Sequence, residues 1–124
     1  MASLPCLRMS TLSLHTYQEP DSVRVAVSGE LDLSSALTFE EELRRIEEGS
    51  DVPLLVLDLR SLKFMDSTGL RLILSAHARA INRGRKLAIV EGGEAVRRIF
   101  KLTGVFERLN FVAAAPGSKL VEQP

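Results

Sequence analysis

Val52-Pro53-Leu54-Leu55-Val56-Leu57-Asp58-Leu59 is a nearly continuous apolar run with polar residues on both sides. A strand with one solvated face alternates between apolar and polar positions. This run does not, which predicts a central strand covered on both faces, as parallel sheets require. Downstream, Ser67 to Ile81 has helical spacing, with Leu70, Ile73, Leu74 and Ala78 inward, Arg71, Arg79 and Arg83 outward, and Gly84 at its end. Lys86-Leu87-Ala88-Ile89-Val90 is a second strand of the buried type. Glu94 to Leu102 has the pattern of a short helix, apolar at Val96, Ile99 and Phe100 and stopped by Gly104. Leu109-Asn110-Phe111-Val112 has the length and composition of a last short strand.

Upstream, Leu33 to Glu48 is helical in pattern. Ala36, Phe39, Leu43 and Ile46 recur at spacings of three and four, while Glu40, Glu41, Glu42, Arg44, Arg45, Glu47 and Glu48 take the other face. Ser34 or Asp32 can cap its start, and Gly49 fits a left-handed residue past its end. Before it, Thr11 to Tyr17 alternates at Leu12 and Leu14, and Val23, Val25 and Val27 share one face. Gln18-Glu19-Pro20-Asp21-Ser22 supplies the turn between them, so the pair predicts a β-hairpin whose second strand closes at Gly29. The order ββαβαβα, with room for a final β, predicts one α/β domain over residues 11–112. Its sheet is mostly parallel, with the hairpin adding an antiparallel edge. Residues 1–10 and 113–124 read as tails.

The chain has 124 residues, 45% of them hydrophobic and 26% charged, which is the composition of a folded soluble domain. Lys plus Arg and Asp plus Glu are 16 each, an electroneutrality that argues against a dedicated nucleic-acid binder. The charge is segregated: residues 1–62 hold 5 basic and 11 acidic side chains, and residues 63–124 hold 11 basic and 5 acidic. Solvated helix faces account for such runs most simply; a polarised surface that steers a charged partner is the functional alternative. A single cysteine, Cys6, excludes an intrachain disulfide and any zinc site built on two thiolates of this chain. The first residues have neither the basic start nor the apolar stretch of a signal peptide, and no window approaches the roughly 20 apolar residues of a membrane span. The expectation is a cytoplasmic protein without membrane insertion.

Asp66-Ser67-Thr68-Gly69 stands where the buried strand passes into a helix, the place where α/β proteins put their working groups. Asp-Ser-Thr is also what an ordinary helix cap looks like, but capping uses only one of the three. Gly69, so early in the helix, costs about 1 kcal/mol relative to alanine and is better explained by another surface approaching closely. Ser67 is poorly placed for nucleophilic catalysis. Met65 occupies the position of the first glycine of a nucleophile elbow, and His77 lies about 15 Å along the same helix. His15 falls in the first strand, and both histidines read as tolerated surface or core residues. Glu91-Gly92-Gly93-Glu94 lacks the Lys-Ser/Thr of a phosphate-binding loop, and its carboxylates repel phosphate; it reads as a plain loop. Neither Asp58 nor Asp66 has a His or Cys near it in sequence to make a metal site, and Asp58 reads as a hydrogen-bonded structural carboxylate. Phe64, Met65 and Leu70 read as core before contact, and Arg71 and Lys63 as exposed candidates for partner contact.

Val56-Leu57-Asp58-Leu59 followed by Phe64-Met65-Asp66-Ser67-Thr68-Gly69-Leu70 resembles the signature of bacterial anti-sigma factor antagonists, the stand-alone STAS domains. Val27-Ser28-Gly29-Glu30-Leu31-Asp32 resembles that family's loop after the second strand. The resemblance spans residues 12–112 and implies a sheet with helices packed largely on one side. It implies a protein-binding switch in transcription control, not an enzyme, with no cofactor and no metal. The partner would be an anti-sigma factor that is also an ATP-dependent serine kinase, whose capture frees a sigma factor; a metal-dependent serine phosphatase would reverse the mark. The resemblance puts the phosphoacceptor on Ser67, with Asp32, Asp66, Thr68 and Gly69 around it, Thr68 not being the main acceptor. It leaves open whether the chain is a monomer or a weak dimer. Stand-alone relatives also serve as adaptor subunits of stressosome-like signalling or lipid-transport complexes, which is the alternative function.

Overall fold

The structure, a computed structural model, describes residues 12–113. Cys6 and both predicted tails, apart from Ala113, lie outside them. The elements are β1 (Leu12–Gln18), β2 (Ser22–Leu31), α1 (Ala36–Glu48), β3 (Leu54–Met65), α2 (Ser67–Asn82), β4 (Lys86–Val90), α3 (Glu94–Leu102), a 3-10 turn (Phe106–Arg108) and β5 (Asn110–Val112). The strands lie side by side in chain order, with β1 antiparallel to β2 and every other neighbour parallel. Each parallel step therefore advances in the same direction, and right-handed crossovers then put every helix on the same side of the sheet. Among the described residues, no helix is long and apolar enough to cross a membrane.

The main core confirms that one-sided arrangement. Val23, Val25 and Val27 of β2, Leu55, Leu57 and Leu59 of β3, and Leu87 and Ile89 of β4 pack with Phe39 and Leu43 of α1, Ile73 and Ala76 of α2, and Val96 and Phe100 of α3. The alternate residues point to the other face, where Val56, Ala88 and Val90 form a second buried cluster with Leu54 and Val112 against it. Leu55 to Leu59 is thus buried on both faces, which is why that run shows no alternation.

Asp58 belongs to the second face and is buried, as expected of a structural carboxylate. Arg60 reaches it through Nε to Oδ1 at 2.9 Å and Nη2 to Oδ2 at 2.7 Å, and buried Arg24 through Nη1 to Oδ2 at 3.3 Å. The Arg24 guanidinium also lies 4.0 Å from the centre of the Tyr17 ring. Burial pushes the Asp58 carboxyl up, but the hydrogen bonds and charge of Arg60 and the charge of Arg24 outweigh it, and its pKa falls below the usual carboxylate range. Buried Glu47 and half-buried Arg79 form a second pair, two parallel bonds of 2.8 and 2.9 Å that join α1 to α2. Both were assigned outward faces by periodicity. Glu47 is in fact buried, because it lies on the flank of α1 that meets α2. Ala78 is likewise exposed, and Ala76 and Ala80 take the inner positions.

Several boundaries differ from expectation. Gly29 does not close β2: it adopts φ +98° at a break in the pairing register, and the strand continues to Leu31 opposite Met65. β3 likewise runs past Leu59 to Met65. α1 starts at Ala36, three residues later than predicted. Its N-cap is Ser35, whose hydroxyl donates to the Glu30 carbonyl at 2.9 Å instead of capping the helix. Gly49 has φ −89°, so it is not left-handed; Gly84 and Gly104 are, at +72° and +76°. Gly69 does sit at a close approach, but the approaching surface is the chain's own. A Cβ there would stand 2.7 Å from Leu31 Cγ and 2.8 Å from Met65 Cγ, so α2 rests directly on the ends of β2 and β3. Gly92 is also more than a loop residue, since a Cβ would meet the Leu59 carbonyl oxygen at 2.4 Å.

Two outcomes follow. Asp58→Asn lowers the unfolding free energy by roughly 3 kcal/mol at neutral pH, because Arg24 keeps its burial and loses its counter-charge. Since the folded-state pKa of Asp58 is depressed, that deficit is full above the unfolded value near 4 and shrinks as pH falls through the lower folded value; urea unfolding of both proteins across this range measures it. Gly69→Ala destabilises by about 1–3 kcal/mol through overpacking against Leu31 and Met65, despite the better helix propensity of alanine, and shows as a lowered urea midpoint with an unchanged slope.

Candidate functional site

The site is assembled where β2 and β3 end side by side. Past the irregularity at Gly29, Glu30 pairs with Phe64 and Leu31 with Met65. The Asp66 amide then donates to the Leu31 carbonyl at 3.2 Å. This last bond ties the first residue after β3 to the last residue of β2, so the connection into α1 and the start of α2 abut. Asp32 and Ser67, 35 positions apart in sequence, are thereby brought to the same pole, at the C-terminal ends of the parallel strands.

Asp66 is the N-cap of α2, with extended backbone at φ −109°, ψ −171°. Its Oδ1 accepts from the Thr68 amide at 2.9 Å and the Gly69 amide at 3.2 Å. The carboxylate thus engages two of the amides that a helix start leaves unpaired and meets the positive end of the helix dipole. Ser67 is the first residue of α2 and is exposed; among the described residues no side-chain hydrogen bond engages its hydroxyl. Thr68 is half-buried and Gly69 buried, so of the three residues after the cap Ser67 is the most open to solvent.

Asp32 is organised within its own turn. Its Oδ1 accepts from the Ser34 hydroxyl at 2.8 Å and the Ser34 amide at 3.0 Å. The Ser34 hydroxyl, with smaller help from the Ser34 and Ser35 amides, holds the Asp32 carboxyl below its usual range against slight desolvation. It is therefore an anion at neutral pH, and its partners are the serines of its turn; neither Asp32 nor Ser34, the two residues expected to cap α1, is its N-cap.

Hydrolytic chemistry has little to work with here. His77 lies well down α2 and His15 in β1, as the sequence placed them, so neither reaches Ser67. Among the described residues no group of three His, Cys, Asp or Glu could hold a metal ion. Glu91, beside the two glycines after β4, is paired with Arg97 at 3.1 Å, so a guanidinium offsets its charge. What the pole does present is an exposed hydroxyl next to the Asp66 carboxylate, with Asp32 and several apolar side chains at the same end of the sheet. Met65 and Leu70 are core, as expected, but Phe64 is 45% exposed, and Leu33 and Leu37 are 76% and 66% exposed. Residue type alone assigns such side chains to the interior. Leu37 lies off the buried stripe of Phe39, Leu43 and Glu47 on α1, and Leu33 precedes the helix. Arg71 and Lys63 are exposed as predicted.

Comparison with known proteins bears on this geometry. The family model described as the STAS domain matches residues 13–115. An anti-sigma-B factor antagonist of Bacillus subtilis is 26% identical over 107 residues, covering 86% of this chain and 95% of that protein. One from Staphylococcus epidermidis is 35% identical over 97 residues, covering 76% of this chain and 86% of its own length. Among solved structures, the anti-sigma factor antagonist SpoIIAA from Bacillus shares the fold in its unphosphorylated form, with a TM-score of 0.71 at 17% identity, covering 90% of this chain and 98% of that one. Its phosphorylated form gives a TM-score of 0.64 at 16% identity, with 89% and 100% covered. On the family-model match over residues 13–115 and the length of the curated relatives it spans, the chain belongs to the STAS domain family, among anti-sigma factor antagonists.

Proposed function

We propose that this chain is an anti-sigma factor antagonist that binds a cognate anti-sigma factor with serine kinase activity, releasing a sigma factor, and that phosphorylation of Ser67 ends the contact. A serine phosphatase restores it. The observation that carries this reading is the exposed Ser67 at the first position of α2, next to the capping Asp66 and at the same end of the sheet as the turn that holds Asp32.

The unmodified hydroxyl is small and neutral and suits a tight, dry contact. Phosphate adds about −1.5 to −2 charges and three acceptor oxygens. In an empty helix N-terminus such an anion would gain about 0.3–1 kcal/mol from the dipole. Here the Thr68 and Gly69 amides are already engaged by Asp66, so the phosphate finds little shelter in its own fold. Under a bound partner it adds like-charge repulsion with Asp66 and Asp32 and a desolvation cost of several kcal/mol. A loss of roughly 4 kcal/mol weakens binding about a thousandfold.

Ser67→Ala keeps wild-type affinity for the anti-sigma factor kinase encoded in the same genome and takes no phosphate from ATP. Ser67→Asp loses at least about a hundredfold in affinity. Calorimetry for binding, and mass spectrometry of the kinase reaction for the acceptor, check both; equal binding by Ser67→Asp would refute the switch.

A further inference from the structure

Resting on that function, we infer that Leu33 and Leu37, at the start of α1, and Phe64, at the end of β3, are the apolar anchors on which the anti-sigma factor sits beside Ser67. Leu33 lies in the turn after β2 and Leu37 in the first turn of α1, so both stand at the helix start. Phe64 is the penultimate residue of β3, three positions before Ser67, and pairs across to Glu30.

Their exposure is not forced by composition. At the same pole Leu31 is 0%, Met65 1% and Leu70 5% exposed, so the fold had room to bury large apolar groups there and left these three out. Six large apolar side chains in the described residues are this exposed, and these three stand together at the phosphoacceptor's pole. Single exposed leucines are ordinary; several gathered at one functional end mark a contact surface. The occupant follows from reach. A partner that transfers phosphate to Ser67 must lie over it. A standard interface covers about 800 Å² per partner, a disc of roughly 16 Å radius. Phe64 is at most about 11 Å of chain from Ser67. Leu33 is two residues past Leu31, whose carbonyl holds the Asp66 amide at 3.2 Å. Both fall beneath such a disc. Glu30, Asp32, Asp66 and Glu94 share this pole, so the partner surface that fits is apolar over the anchors and free of carboxylates beside them.

Leu102 provides the internal control. It is 76% exposed, equal to Leu33, but it ends α3 and therefore lies at the opposite pole. Calorimetric titration of each variant into the purified anti-sigma factor kinase of the same genome tests the assignment, with the unfolding midpoint of each variant measured alongside. The Leu33→Ser/Leu37→Ser double variant and Phe64→Ser each weaken binding at least about tenfold, the scale on which buried anchors act, while Leu102→Ser stays within about twofold of wild type. If Ser67→Asp loses the partner while the three apolar changes keep wild-type affinity, or if Leu102→Ser weakens binding as much as they do, the anchors are wrong and the switch stands. If Ser67→Asp binds like wild type, the switch fails and this assignment fails with it.

Discussion

Parallel pairing of β2 with β3, carried past Gly29 to Leu31 and Met65 and sealed by the Asp66 amide on the Leu31 carbonyl, is the constraint from which the rest of the molecule follows. It sets where α2 begins, because Gly69 must seat against Leu31 and Met65 with no Cβ between them. It brings the turn holding Asp32 beside the residue that caps α2. A left-handed glycine and a register break make this possible: they let β2 bend locally and resume pairing, so the strand ends reach the same level.

Charge is handled differently in the interior and at the pole that carries Ser67. Inside, Asp58 is compensated by two guanidinium groups and Glu47 by one, each with close geometry. Such pairs tolerate burial because the partners satisfy each other, and removing one member is costly. At the pole, Asp66 and Asp32 take their hydrogen bonds from backbone amides and serine hydroxyls. Those donors orient the carboxylates without neutralising them. The negative charge stays in place, and so a further anion among these residues is felt strongly.

Much of this was legible in the sequence, and the failures have physical causes. Lys86–Val90 and Glu94–Leu102 were readable to the residue because each is bounded by turn-forming residues and has one clear period. The unbroken Leu54–Leu59 run announced a strand buried twice. The extension of β3 through Arg60–Met65 was not readable, since its residues follow neither period and its pairing with β2 is a tertiary fact. Glu47 could not be told from its exposed neighbours because burial depends on Arg79, 32 positions away. Alanine has no strong preference for either side of a helix, so Ala78 was exchanged with Ala76 and Ala80. Asp66 and Ser67 stood out through their place after the buried strand. Leu33, Leu37 and Phe64 did not, because an exposed apolar residue and a buried one look alike on paper.

The antiparallel hairpin at one edge of the sheet has a practical corollary. β1 begins opposite Gly29, and β5 ends opposite Val90. The polypeptide therefore enters and leaves the described domain at the same end as Ser67, on opposite margins of the sheet. Cargo grafted beyond either margin would crowd the end that carries Ser67, whereas the helix-to-strand turns at Gly49 and Gly84 lie at the other end. Affinity handles, fluorophores or fused modules are best inserted at those distal bends.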